Sequence, residues 1–173
     1  MIREGKGGSK TQSGLRFEKR IALKDAMKGV QDLTVNDDDV LIRGKLVAQL
    51  FQKHKLYKNL LEKRGVDYSG ILSKKLLPDD AILNLQNNTL YIVEIKFQEV
   101  AGSVDEKLQT CDFKNIQYNK LLNPLGIKVK YIYVLSDWFK KPEYKDVLEY
   151  VIKSGCFYFF NEIPLDFLGL TSN

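Results

Sequence analysis

Histidine is almost missing from this 173-residue chain, His54 being the only one, and cysteine, proline and tryptophan are scarce at two, four and one. Two cysteines, Cys111 and Cys156, cannot build a disulfide framework. Neither has a second Cys or a His at metal-ligand spacing, so a reducing compartment is the simpler reading. His54 sits between Lys53 and Lys55, and no motif presents a Ser or Cys nucleophile, which argues against Ser-His-Asp and Cys-His chemistry. Long apolar runs are missing too: none approaches the roughly 18 residues of a spanning helix. The first thirty residues carry Arg3, Lys6, Lys10, Arg16, Lys19 and Arg20 without an apolar core, so no secretory signal is expected and a cytoplasmic location is.

What the chain does have is charge, unevenly placed. The formal net charge is +5, but residues 1 to 76 carry 17 basic and 9 acidic side chains, and the remainder 10 and 13. Residues 1 to 28 and 43 to 75 hold most of the basic excess. Clustered Lys and Arg release counterions from a polyphosphate, so such a region is the electrostatic footprint of a nucleic-acid binder. Lysines on the outer face of an ordinary helix produce the same count, and the charge alone does not choose between these.

Along the chain, residues 1 to 14 read as a flexible basic arm rich in Gly, Ser, Thr and Lys. Their Gly8-Ser9-Lys10-Thr11 lacks the Gly before Lys, and the strand before it, that a phosphate-binding loop needs. A helix is expected from Leu15, and a second over Asp38 to Arg64, capped from Asn36-Asp37-Asp38-Asp39, with Leu46, Leu50, Leu56, Leu60 and Leu61 as its buried stripe and Gly65 closing it. Strands are expected at 71 to 77, 80 to 85 and 89 to 97, the last two forming a hairpin around Gln86-Asn87-Asn88. Ser103 and Glu106 suggest a capping box for a helix ending near Leu122. A strand over 127 to 135, a helix from Pro142 to Lys153 and a strand over Cys156 to Phe160 complete the order. The fold class is α/β, a mixed sheet with helices on its faces, in one domain over residues 15 to 173. Tyr131, Tyr133 and the Phe157 to Phe160 run read as core aromatics.

The chemistry concentrates at Pro78-Asp79-Asp80 and Glu94-Ile95-Lys96. Residues two apart on a strand share a face, so Glu94 and Lys96 project together and Ile95 projects oppositely. The hairpin turn returns the Pro-Asp end to that neighbourhood. Two carboxylates and an ammonium then share one patch in an otherwise apolar strand, where an unpaired charge is costly. Mg²⁺ commonly uses one or two carboxylates plus water and substrate phosphate, and a neighbouring Lys can steer water and offset developing charge.

Pro78-Asp79, followed by the apolar Ala81-Ile82-Leu83, and Glu94-Ile95-Lys96, separated from Asp79 by 14 residues, resemble the signature of the PD-(D/E)XK nuclease superfamily. The order of elements over residues 15 to 135 is similar to that superfamily's αβββαβ core. The resemblance implies a restriction-endonuclease-like fold in which Asp79, Glu94 and the backbone oxygen of Ile95 bind Mg²⁺ and Lys96 assists the attacking water. Gly14-Leu15-Arg16-Phe17-Glu18 is similar to a first-helix segment of that family, implying a site role for Glu18, and Gln98 extends Glu-x-Lys to the Glu-x-Lys-x-Gln of several type II restriction endonucleases. Asp79 holds the family position after Pro, but Asp80 takes it if the strand shifts by one residue. The activity implied is a Mg²⁺-dependent endonuclease of double-stranded DNA, most simply a type II restriction endonuclease acting as a homodimer and leaving 5′-phosphate and 3′-hydroxyl ends. A structure-selective nuclease, such as a junction resolvase or repair enzyme, and a non-catalytic DNA-binding module are the alternatives.

Overall fold

The computed structural model describes residues 14–17, 22–99 and 104–171. Its centre is a seven-stranded mixed sheet flanked by helices. In chain order the elements are β1 (Gly14–Arg16), α1 (Leu23–Ala26), β2 (Leu33–Asn36), β3 (Asp39–Ile42), β4 (Lys45–Leu50), β5 (Asp80–Asn84), β6 (Thr89–Lys96), α2 (Val104–Leu108), α3 (Cys111–Leu122), β7 (Lys128–Leu135), α4 (Lys145–Lys153), β8 (Phe157–Phe160) and β9 (Glu162–Pro164). Strands β2 to β8 lie in the sheet in sequence order. Pairing is antiparallel from β2 to β6 and parallel from β6 to β8.

The N-terminal third departs from the helical expectation. Where a helix from Leu15 is expected, Gly14–Arg16 is a strand paired with Glu162–Pro164, and helix appears only over the four residues of α1. Where a helix over Asp38 to Arg64 is expected, the chain first makes the meander β2-β3-β4 and turns helical only afterwards, in a π-helical segment Leu56–Leu61 and a 3₁₀ turn Glu62–Arg64. The physical reason is turn chemistry. Arg43 and Gly44 both have positive φ, 49° and 77°, the conformation of a two-residue hairpin turn whose twist matches the flanking strands. The Asp run likewise makes a hairpin: Asn36 pairs with Asp39 across Asp37 and Asp38. Leu46 and Leu50, four apart, satisfy the strand period as well as the helical one, and Leu46 is in fact 41% exposed. Leu56, Leu60 and Leu61 are buried as expected, and Gly65 ends the segment at φ 71°.

Residues 71 to 77 do not form the expected strand. Their place beside β5 is taken by β4, with Ala48, Gln49 and Leu50 opposite Asn84, Leu83 and Ile82. The Leu76 backbone is satisfied instead by one side chain: its N–H donates to the Tyr57 hydroxyl at 2.9 Å, and that hydroxyl donates to its carbonyl at 3.0 Å. The rest of the chain largely follows the sequence pattern. The β5–β6 hairpin, β7, α4 and β8 fall where expected, the single helix expected up to Leu122 is broken at Gln109-Thr110 into α2 and α3, and β6 reads as a nearly continuous apolar run because both faces are covered.

One face packs against α3, α4 and residues 56 to 72; the other packs against α1, β1, β9 and the tail to Leu170. Right-handed crossovers that step from β6 to β7 to β8 in one direction put both helices on the same face. Tyr131 and Tyr133 are fully buried under α3, and Phe157 to Phe160 are half-buried on the edge strand.

The tail is pinned by Asn84. Its amide donates to the Leu168 and Gly169 carbonyls at 2.8 and 3.0 Å, while its oxygen accepts from the N–H groups of Gln86 and Asn87. Gly169 has φ 66°, and a Cβ there would lie 2.8 Å from the Asn84 amide nitrogen. Gly169→Ala is therefore expected to cost about 2 kcal/mol, from left-handed strain plus displacement of that amide. Urea unfolding checks it: the midpoint falls at unchanged slope. Gly29→Ala is the control, with φ 81° but no atom within 4 Å of its Cβ, and isolates the backbone component.

Candidate functional site

Glu94 and Lys96 lie near the carboxyl end of β6, on the face covered by α3. Open sheets with parallel strands bind ligands outside the carboxyl ends of those strands. Asp80 pairs with Val93 in the β5–β6 ladder, so Asp79, one residue before the strand, falls opposite Glu94. The register brings the three side chains together. Lys96 Nζ stands 2.9 Å from Glu94 Oε2 and 3.7 Å from Asp79 Oδ2. Asp79 Oδ2 also accepts the Ile95 N–H at 3.0 Å, which locks the carboxylate onto the strand. The N–H and C=O of a strand residue point to the same side, so the Ile95 carbonyl faces the Asp79 edge as well.

The cluster grades from interior to surface. The Glu94 side chain is 7% exposed, Lys96 18% and Asp79 46%, so approach is from the Asp79 side. Beneath Glu94 lies a tyrosine wall: Tyr131 packs 6.2 Å from Tyr118 and 5.3 Å from Tyr133, centroid to centroid. Burial first, and the Glu94 carboxylate next, push the Tyr118 and Tyr131 hydroxyls up, so both remain neutral. The wall is apolar support and supplies no charge.

Asp80 is placed elsewhere. It faces the opposite side of the sheet, buried, and accepts the Leu23 N–H at 3.0 Å, thereby satisfying a free donor at the start of α1. Burial pushes its carboxyl up to about 6, opposed by that hydrogen bond. Of the two candidate acids, Asp79 is the one that reaches Lys96 and lies on the Glu94 face. Gln98 is buried just past β6; its N–H donates to Ser136 Oγ, which donates to its carbonyl, both at 3.2 Å. Glu18, residues 1 to 13 of the arm and Ser103 lie outside the described residues, while Gly14, the arm's last residue, begins β1.

One member of the cluster escaped the sequence reading. Lys114 on α3 brings its Nζ to 3.4 Å from Glu94 Oε1, with its own side chain 27% exposed. Helical spacing puts Lys114 on the stripe that Cys111, Tyr118, Leu121 and Leu122 bury, three residues after Cys111 and four before Tyr118, but only the packing of α3 on β6 reveals that this stripe faces Glu94.

Two carboxylates and two ammonium groups thus gather at the carboxyl end of β6. Among the described residues, no group of three or more His, Cys, Asp and Glu side chains gathers. The oxygen donors present suit a hard cation that needs only one or two carboxylates and completes its shell with water and phosphate. No helix among the described residues is long and apolar enough to cross a membrane. No family model, curated protein or solved structure matches this chain.

Proposed function

We propose that the protein is a Mg²⁺-dependent endonuclease of double-stranded DNA, resembling the PD-(D/E)XK nucleases and acting as a type II restriction endonuclease. The observation that carries this reading is the Lys96 ammonium held between Glu94 and Asp79 at the carboxyl end of β6. The framework agrees with it: β4, β5 and β6 form an antiparallel meander, and β7 returns parallel to β6 after the α3 crossover.

Asp79 and Glu94 would hold Mg²⁺, together with the Ile95 carbonyl. When bound, the ion supplies a Lewis acid that polarises the scissile phosphate and acidifies a water. Lys96 orients the attacking water and offsets charge as it grows on the phosphate, a task suited to a fixed donor in a partly buried site. The neutral tyrosines exclude water from behind Glu94. The basic segment with Lys53 and Lys58 adjoins the Pro78 turn, since the Lys53 N–H donates to the Pro78 carbonyl at 3.2 Å. Those lysines provide phosphate contacts that position the duplex without reading its sequence. Cutting both strands at a symmetric site calls for a homodimer, and a restriction role calls for a cytoplasmic protein.

Digestion of a supercoiled plasmid of known sequence with Mg²⁺, followed by mapping of fragment ends, tests the reading. Discrete fragments with 5′-phosphate ends are expected, and none without the metal. Plasmids left intact across a broad sequence set overturn restriction activity. Cuts confined to four-way junctions or flaps would place the protein among structure-selective nucleases. Salt-sensitive binding without any cleavage would make it a DNA-binding module.

A further inference from the structure

Glu94 has an ammonium at each of its two oxygens. Lys96 approaches Oε2 at 2.9 Å and Lys114 approaches Oε1 at 3.4 Å, around a side chain that is 7% exposed. The remaining solvent contact is small, so a cation reaching this carboxylate must displace one of the lysines. They are not equally held. Lys96 has a second carboxylate in Asp79, at 3.7 Å, and lies two residues along the same strand. Lys114 makes the longer contact, is the more exposed, and among the described residues forms no other ion pair.

We propose that Lys114 is the resident counter-cation of the metal site: it competes with Mg²⁺ for Glu94 and, once displaced, turns its ammonium to the scissile phosphate. The proposal rests on the nuclease reading above. With the metal out, Lys114 and Lys96 pair a buried carboxylate whose charge would otherwise stand unpaired in an apolar surround, at a cost. With the metal in, a displaced ammonium at the rim needs an anion, and the phosphate of the duplex is the anion that arrives. Metal entry and DNA arrival then favour one another, because each gives the other's displaced charge a partner. The lysine on α3 therefore acts at two stages, first on the acid and then on the substrate.

The test is calorimetric titration of the full chain with Mg²⁺ alone, set beside plasmid cleavage at saturating Mg²⁺. Lys114→Met is expected to bind Mg²⁺ about five- to tenfold tighter than wild type, since a partly exposed competing charge is gone, and to cleave at least about tenfold more slowly. Lys114→Arg, which keeps the charge, is expected to stay within about threefold of wild type in both. Lys114→Gln carries the expectation of the Met variant with a polar stem, should the Met variant fold poorly. Unchanged or weaker Mg²⁺ binding in both neutral variants overturns the competition, and wild-type cleavage rates in them overturn the phosphate contact. A wild-type chain that neither binds Mg²⁺ nor cuts DNA overturns the nuclease reading and this proposal with it. Wild-type binding and cutting combined with silent Lys114 variants overturn this proposal alone.

Discussion

On the proposed nuclease reading, Glu94→Gln is expected to cut DNA at least about 1000-fold more slowly than wild type, because it removes the buried half of the proposed metal site and the charge that positions Lys96. The substitution keeps shape and an oxygen that can accept from Lys96 at the present 2.9 Å. What it removes is one negative charge facing two ammonium groups, leaving Lys96 with Asp79 alone and Lys114 with no carboxylate partner among the described residues. An amide oxygen is a weaker ligand for a hard cation than a carboxylate, so Mg²⁺ binding should fall together with the rate. Both lysines are partly exposed and can turn to water, so the fold should survive. Single-turnover cleavage at saturating Mg²⁺, set beside a thermal melt of the same sample, separates loss of chemistry from loss of structure. Lys96→Ala is the partner experiment, expected to lower the rate while leaving Mg²⁺ binding in place. A Glu94→Gln protein that cuts at the wild-type rate would remove the carboxylate from the mechanism.

Asp80→Asn is expected to stabilise the protein at neutral and alkaline pH. Burial raises the Asp80 carboxyl from 3.8 to about 6. Below the lower value both folded and unfolded chains carry the protonated acid, and its burial costs little. Between the two values the folded chain binds the proton more tightly than the unfolded one, so stability falls as pH rises through this window. Above about 6 the carboxylate is buried ionised, at a cost of about 3 kcal/mol for a shift of this size. The amide in Asp80→Asn carries no such cost and keeps an oxygen to accept the Leu23 N–H, now at 3.0 Å. The variant should therefore exceed wild type by about 1–3 kcal/mol near pH 8 and match it near pH 4. Urea unfolding at a series of pH values reads the difference directly. A variant less stable than wild type across the series would mean that the charge at the start of α1 is a net stabiliser.

The contrast between the two aspartates shows how far local pattern reaches. The β5–β6 hairpin is legible because Asp80 to Asn84 and Thr89 to Lys96 are apolar runs around an Asn-rich turn, and the turn alone brings Pro78-Asp79 near Glu94 and Lys96. Helix α4 and strand β7 are legible from one dominant period between clear breakers, whereas α3 is legible from the breaker Asn123-Pro124 that ends it and β8 from an aromatic run after Gly155. The region from Leu15 to Gly65 is not. Its leucines four apart fit two periods, and the deciding residues, Arg43 and Gly44, act through backbone conformation rather than hydrophobicity. The missing strand at 71 to 77 has a different cause, because Tyr57 meets the Leu76 backbone from a distance in sequence that no local window spans.

By itself, then, the sequence determined that a mixed sheet with flanking helices carries one aspartate of Pro78-Asp79-Asp80 close to Glu94 and Lys96, since a hairpin and a two-residue strand period suffice for that. Only the tertiary structure decided which aspartate joins them and that Lys114 completes the set. The face on which Asp79 or Asp80 points depends on pairing register, where one residue inverts the outcome. Lys114 reaches Glu94 only because the α3 crossover lays its buried stripe across β6 and β7, a contact between elements separated by a loop and a turn of chain direction.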